Sequence, residues 1–125
     1  MKRIISTPKA PAAIGPYSQA VEVNGNLYIS GQVPINPLSG KIETTDISAQ
    51  AEQVFKNIEA ILVAAGYTFS DVVKSTVFIA DMSYFPELNE VYKKYYSENC
   101  PARSTIAVKG LPLGALVEIE TIAVK

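Results

Sequence analysis

Residues 17–33 read YSQAVEVNGNLYISGQV, and the fold turns on their centre. Asn24-Gly25 separates two runs of β-prone residues, and both residue types accept the positive φ angles that a tight hairpin turn demands. The spacing predicts strands near 17–23 and 27–33, paired antiparallel. KRIIS at 2–6 offers a short leading strand before them.

Downstream, PINPLSGKIETTD (34–46) carries two prolines, a Ser-Gly pair and no apolar period, which predicts a loop. It ends at Asp46, a candidate helix N-cap. Ile47, Ala51, Val54, Phe55, Ile58, Ile61, Leu62 and Ala65 then recur at three- and four-residue spacing, and Gly66 stands where a C-terminal glycine belongs, so an amphipathic helix is expected. DVVKSTVFIAD (71–81) reads as a strand with Val73, Ser75, Val77 and Ile79 on one face and Val72, Lys74, Thr76 and Phe78 on the other. Ser83 is a candidate cap for a second helix that tolerates Pro86 in its first turn and ends near Asn99. STIAVKG and LVEIETIAV flank LPLG (111–114) and suggest a second hairpin.

This order of elements fits one α+β domain over residues 1–125 with a mixed, mainly antiparallel sheet and two helices on one face. Apolar residues occupy both faces of several strands, so the uncovered face calls for self-association. Composition agrees: hydrophobic residues make up 48% and charged residues 18%, against a usual charged share of about 25%. The net charge of −1 lacks the basic excess on which phosphate-backbone binding depends, and no nucleic-acid partner is expected. MKRIISTPKAP has a basic start without an apolar stretch, and no segment reaches the roughly 20 apolar residues of a membrane span. A single cysteine, Cys100, fits a reducing compartment, and a cytoplasmic location is expected.

With no histidine and one cysteine, the chain cannot supply a Ser-His-Asp triad, a Cys-His pair or a structural zinc site. Neither a Walker A loop nor a G-x-G-x-x-G turn is present, and no cofactor or metal is expected. What remains is a set of polar residues among apolar ones. Arg103, in PARS (101–104), has a planar fork suited to a carboxylate, although a structural ion pair is the commoner use of such an arginine. Glu118 and Glu120 share one strand face, where plain solvent exposure is the simpler reading. Tyr17, Ser18, Gln19, Ser30, Gly31 and Asn89 each have an ordinary structural role available. Lys74 is a snorkelling lysine by default, and Cys100 has no evident partner to activate it.

Taken together, APAAIGPYSQA (10–20), YISGQVPINPLSG (28–40), PARSTIAVKGLP (101–112) and VEIETIAV (117–124) resemble the RidA/YjgF family almost end to end and in the family's order. The resemblance implies a chorismate-mutase-like α+β fold and a homotrimer with ligand clefts between subunits. It also implies cofactor-free hydrolysis of reactive 2-imino acids to 2-keto acids and ammonia. Arg103 corresponds to the arginine that grips the substrate carboxylate, and Glu118 to the residue that positions the attacking water. Tyr17, Ser30, Gly31 and Asn89 correspond to cleft positions. Thr105 stands where many members carry a cysteine; it is expected to line the cleft, and thiol-dependent behaviour is not carried over. The alternatives are a noncatalytic regulatory trimer that senses small carboxylates and, ranked last, a ribonuclease.

Overall fold

The computed structural model describes residues 1–125, with strands β1 (Arg3–Ile5), β2 (Ala20–Val23), β3 (Asn26–Gln32), β4 (Ile35–Asn36), β5 (Lys41–Ile42), β6 (Val72–Ile79), β7 (Ala102–Ala107) and β8 (Val117–Val124) and helices α1 (Ile47–Ala65) and α2 (Phe85–Tyr95). Six strands form one sheet in the order β1-β2-β3-β8-β6-β7, and β4 and β5 form a separate ribbon. Only β6 and β7 run parallel; every other neighbouring pair is antiparallel.

The Asn24-Gly25 turn is present, with φ of 51° and 78°. Glycine is needed there twice over, because a Cβ on Gly25 would stand 2.6 Å from the Lys125 carbonyl oxygen. The strand before the turn starts at Ala20 rather than Tyr17. Gln19 is the reason: its side chain, 4% exposed, clamps the preceding loop. The amide nitrogen donates to the carbonyls of Thr7, Ala10 and Pro11 at 3.0, 3.3 and 2.8 Å, and Oε1 accepts from the Thr7 N–H at 2.7 Å.

Helix α1 starts and stops at the expected residues. The Asp46 carboxylate accepts from the Ala49 N–H at 3.2 Å, and Gly66, at φ 85°, donates to the carbonyls of Leu62 and Val63. Its apolar stripe packs on the sheet with Leu27, Ile29, Val77, Ile79, Val117 and Ile119. Phe55 joins the two helices, stacking on Tyr95 at a centroid distance of 4.4 Å and meeting Tyr92 edge-on at 5.8 Å.

Four local expectations are corrected. The segment at 34–46 is not all loop, because Ile35–Asn36 and Lys41–Ile42 pair as β4 and β5. In β6 the register slips between Val72 and Lys74, so Val72 turns inward and Val73 is left 47% exposed; Ser75, Val77 and Ile79 keep the buried face. Ser83 does not cap α2. Asp81 instead accepts from the Ser83 N–H at 2.8 Å and starts a single 3-10 turn that runs into the helix, which then ends at Tyr95 rather than Asn99.

The fourth correction is topological: β7 and β8 do not form a hairpin. β8 inserts between β3 and β6, while β7 follows α2 to the far edge and lies parallel to β6. The central position suits β8, whose inward residues Val117, Ile119 and Ala123 are fully buried, whereas β7 is largely exposed. The intervening LPLG is a 3-10 turn that includes Leu113 at φ 57° and ψ 23°. A leucine in this left-handed region costs about 1–2 kcal/mol. No helix is long and apolar enough to cross a membrane.

Candidate functional site

Strand β8 alternates strictly. Val117, Ile119, Thr121 and Ala123 are buried beneath the helices, which leaves Glu118 and Glu120 on the opposite, open face of the sheet. Glu118 borders a cavity of about 300 Å³ whose other walls include Ile14, Tyr17, Gly31, Ile35 and Leu113. The register slip between Ile29 and Gln32 bends β3 beside the carboxylate. Gly31 completes the fit, since a Cβ there would lie 2.9 Å from Glu118 Cδ, closer than folded proteins allow. Burial first, and the Glu120 charge second, push the Glu118 carboxyl above the ordinary carboxylate range, with no hydrogen-bond donor opposing them. A carboxyl tuned upward beside an apolar cavity is a better proton acceptor than an ordinary glutamate and is suited to exchanging a proton with a bound ligand.

The walls of this cavity are held by side chains buried beneath it. Asn57, 1% exposed on α1, donates to the carbonyls of Val33 and Ile35 at 3.2 and 3.0 Å and accepts from the Gln53 side chain at 2.9 Å. The Ser30 hydroxyl donates to the Ser18 carbonyl at 2.6 Å, fixing the loop that carries Tyr17. Ser30 thus supports the cavity without bordering it. Tyr17 is itself half exposed, and its hydroxyl accepts from the Ile14 N–H at 3.4 Å.

Arg103 occupies a different corner. It is in register with the buried Ser75, so its side chain lies on the helix-covered side of the sheet edge. There its guanidinium sits over the rings of Tyr92 and Phe85, at 4.6 and 5.2 Å from their centroids, and Nη1 donates to Asn89 Oδ1 at 2.9 Å. Stacking and one hydrogen bond orient the fork and leave its other donors free. Thr105 follows on the same face, in register with Val77, and its buried hydroxyl has no hydrogen-bond partner.

The expected residues therefore gather into two groups within one chain. Tyr17, Gly31 and Glu118 meet at the cavity, whereas Asn89, Arg103 and Thr105 meet at the β7 edge, and the sheet lies between. Lys74 lies on the open face in a shallow depression with Tyr28 and Glu120. The Cys100 thiol donates to the Tyr96 carbonyl at 3.2 Å. No three His, Cys, Asp or Glu side chains converge as a metal-binding group.

The family model for endoribonuclease L-PSP matches residues 7–125. The chain belongs to the RidA/YjgF family. A 2-iminobutanoate/2-iminopropanoate deaminase of Mus musculus is 51% identical over 125 residues, spanning 100% of this chain and 93% of the relative. Among solved structures, a Yersinia pestis protein of unknown function from the conserved Rid family has a TM-score of 0.97 at 50% identity, with 100% of both chains covered. The E. coli protein TdcF with bound serine has a TM-score of 0.94 at 44% identity, covering 98% of each chain. These likenesses make the α+β sheet described above the RidA fold.

The residues that sequence reading overlooked are Asn57 and Leu113. Asn57 interrupts the apolar stripe of α1 at a core position, and that mismatch is the signal that could have found it. Leu113 left no signal, because nothing in LPLG marks a leucine as left-handed.

Proposed function

We propose that this RidA-family chain hydrolyses small reactive 2-imino acids, 2-iminobutanoate and 2-iminopropanoate, to 2-keto acids and ammonia, in sites shared between copies of the chain. The observation that carries the reading is Glu118: a half-buried carboxyl, shifted upward by its surroundings, beside an apolar cavity large enough for a small organic acid. The deaminase name of the mouse relative, at 51% identity across the chain, supports the substrate class.

In this reading the Arg103 fork binds the substrate carboxylate in bidentate fashion. Glu118 orients a water and takes its proton as the oxygen bonds to the imine carbon, and the C=N electron pair moves to nitrogen. The proton then passes to that nitrogen, the hydroxyl oxygen's electron pair forms the keto C=O as the C–N bond breaks and ammonia leaves, and the hydroxyl proton returns to Glu118. Positioning supplies most of the effect, because a protonated imine is already electrophilic.

Because the sheet separates Arg103 from Glu118 in one chain, the reading pairs Arg103 of one copy with Glu118 of another. The open face supports such assembly. Ile4, Tyr28, Ile106 and Val124 lie on it with 54%, 47%, 47% and 41% of their surface exposed, a set of apolar side chains that a second copy would cover. A homotrimer is the assembly we propose.

Decay of enzymatically generated 2-iminobutanoate and 2-iminopropanoate, followed with wild type, Arg103→Ala and Glu118→Gln of equal assembled mass, tests the reading. Wild type accelerates both decays and each variant fails. Co-assembling the two inactive variants then restores activity, since about a quarter of randomly mixed interfaces carry both native residues. No restoration would place the two residues in separate functions. A second reading, a noncatalytic sensor of small carboxylates, draws on the bound serine in TdcF; ligand binding by wild type without imine decay would favour it. The family description names an endoribonuclease, but the net charge of −1 and absence of histidine give that activity little support here.

A further inference from the structure

The Glu118 cavity has one acidic group, no cation among its walls, and an apolar remainder contributed by Ile14, Val33, Ile35 and Leu113. If the carboxylate of the ligand is held elsewhere, by Arg103, this apolar part faces what is left of the molecule beyond its reactive carbon. Two features single out Leu113 there. Its backbone is in the left-handed region, at φ 57° and ψ 23°, although Gly114 follows at φ 69° and a glycine at 113 would adopt the same turn without strain. Its side chain is also 71% exposed, so burial within the chain does not offset the strain. Strained positions persist where a side chain is wanted in one particular place.

We propose that Leu113 is a specificity-determining residue, forming with Ile14 and Ile35 the apolar subsite that receives the aliphatic side chain of the ligand. The assignment rests on the imine-deaminase reading for the identity of the ligand. It makes the longer 2-iminobutanoate side chain the better fit, because its extra methylene gains contact with the leucine. One methylene in a partly open apolar subsite corresponds to a preference of roughly three- to tenfold.

The test compares kcat/KM for 2-iminobutanoate and 2-iminopropanoate in wild type, Leu113→Gly and Leu113→Asn, with thermal unfolding and assembled mass measured for each. Both replacements tolerate the left-handed backbone, so the melting temperature should hold or rise. The preference for 2-iminobutanoate should fall toward parity in both variants, mainly through KM, while Leu113→Met keeps it. An unchanged ratio in correctly assembled Leu113→Gly overturns the subsite and leaves the deaminase reading standing. Failure of either variant to assemble also overturns it, since the leucine would then be an intersubunit contact. If wild type hydrolyses neither imine, the deaminase reading falls instead, and the subsite is judged by relative affinity for 2-oxobutanoate and pyruvate. Equal weakening of both by Leu113→Gly would then reject it.

Discussion

The two faces of β8 show how one strand divides its work. Val117, Ile119 and Ala123 are fully buried against the helices, while Glu118 and Glu120, interleaved with them, face the open side. On the inner face of β8, apolar packing dominates. On the outer face, a carboxyl sits where desolvation and a like charge work against its ionisation. The contrast teaches that a stable inner face allows an outer residue to be held in a state that folding alone would avoid.

The sharpest way to break the comparison is to change one residue from each face. Glu118→Gln should lower imine turnover by about 10²- to 10⁴-fold, the usual contribution of a positioned acid–base group, while the protein becomes more stable at neutral pH. The sign follows from the upward shift. A carboxyl raised in the fold favours the folded state only while protonated, so wild type loses that contribution as the pH climbs from about 4.3 through the folded value. Glutamine has no such loss, and the two melting curves should converge in acid. A variant that is less stable at neutral pH would contradict the assigned shift. Ile119→Ala, its neighbour on the inner face, should do the reverse, costing about 2–5 kcal/mol by denaturant unfolding while surviving folded molecules keep their turnover.

A smaller perturbation reaches the outer face without removing its acid. In Gly31→Ala the new methyl meets the Glu118 side chain, so the carboxylate must move; about tenfold or more of activity should be lost with little change in thermal unfolding. The pH profile sharpens this further. The acidic limb of wild-type kcat/KM should lie above the range of an ordinary glutamate, because the ionised form of Glu118 is the one that accepts a proton. Gly31→Ala, by displacing the carboxylate from its site, should shift that limb back toward the ordinary value. The smallest effect belongs to a residue remote from both faces: Asp46→Ala removes the α1 cap, costing about 1 kcal/mol in unfolding free energy and leaving turnover unchanged.

How much of this was legible in the sequence depended on how local the cause was. Asn24-Gly25, Asp46 and Gly66 act on their own neighbours, and each does in the structure what its residue type suggests. The slip that turns Val73 outward is different, because a bulge adds one residue to a strand without leaving a mark in its alternation. Partners were harder still. STIAV and VEIETIAV are consecutive strands, and short connections favour hairpins, yet β8 pairs with β3 and β6 because only a central place buries its inner face while both its edges are bonded. For the candidate site, Arg103 and Glu118 stood out as residue types, and the four motifs pointed to the family. Their separation by the sheet could not be read until the strand order was known.

That strand order also bears on how the molecule is made. β3, β6 and β7 all precede residues 117–124 in the chain, yet β8 must slot between β3 and β6. During synthesis the first half-sheet, β1-β2-β3, and the second, β6-β7, wait as separate pieces with unpaired edges until β8 has left the ribosome and bridges them. Folding is therefore completed by long-range pairing only once β8 is available, a slow kind of closure that leaves the earlier strand edges open to wrong partners. A chain cut before Val117 would hold the residues of every turn and both helices, but would lack both the strand that joins the two half-sheets and the inward side chains on which α1 packs.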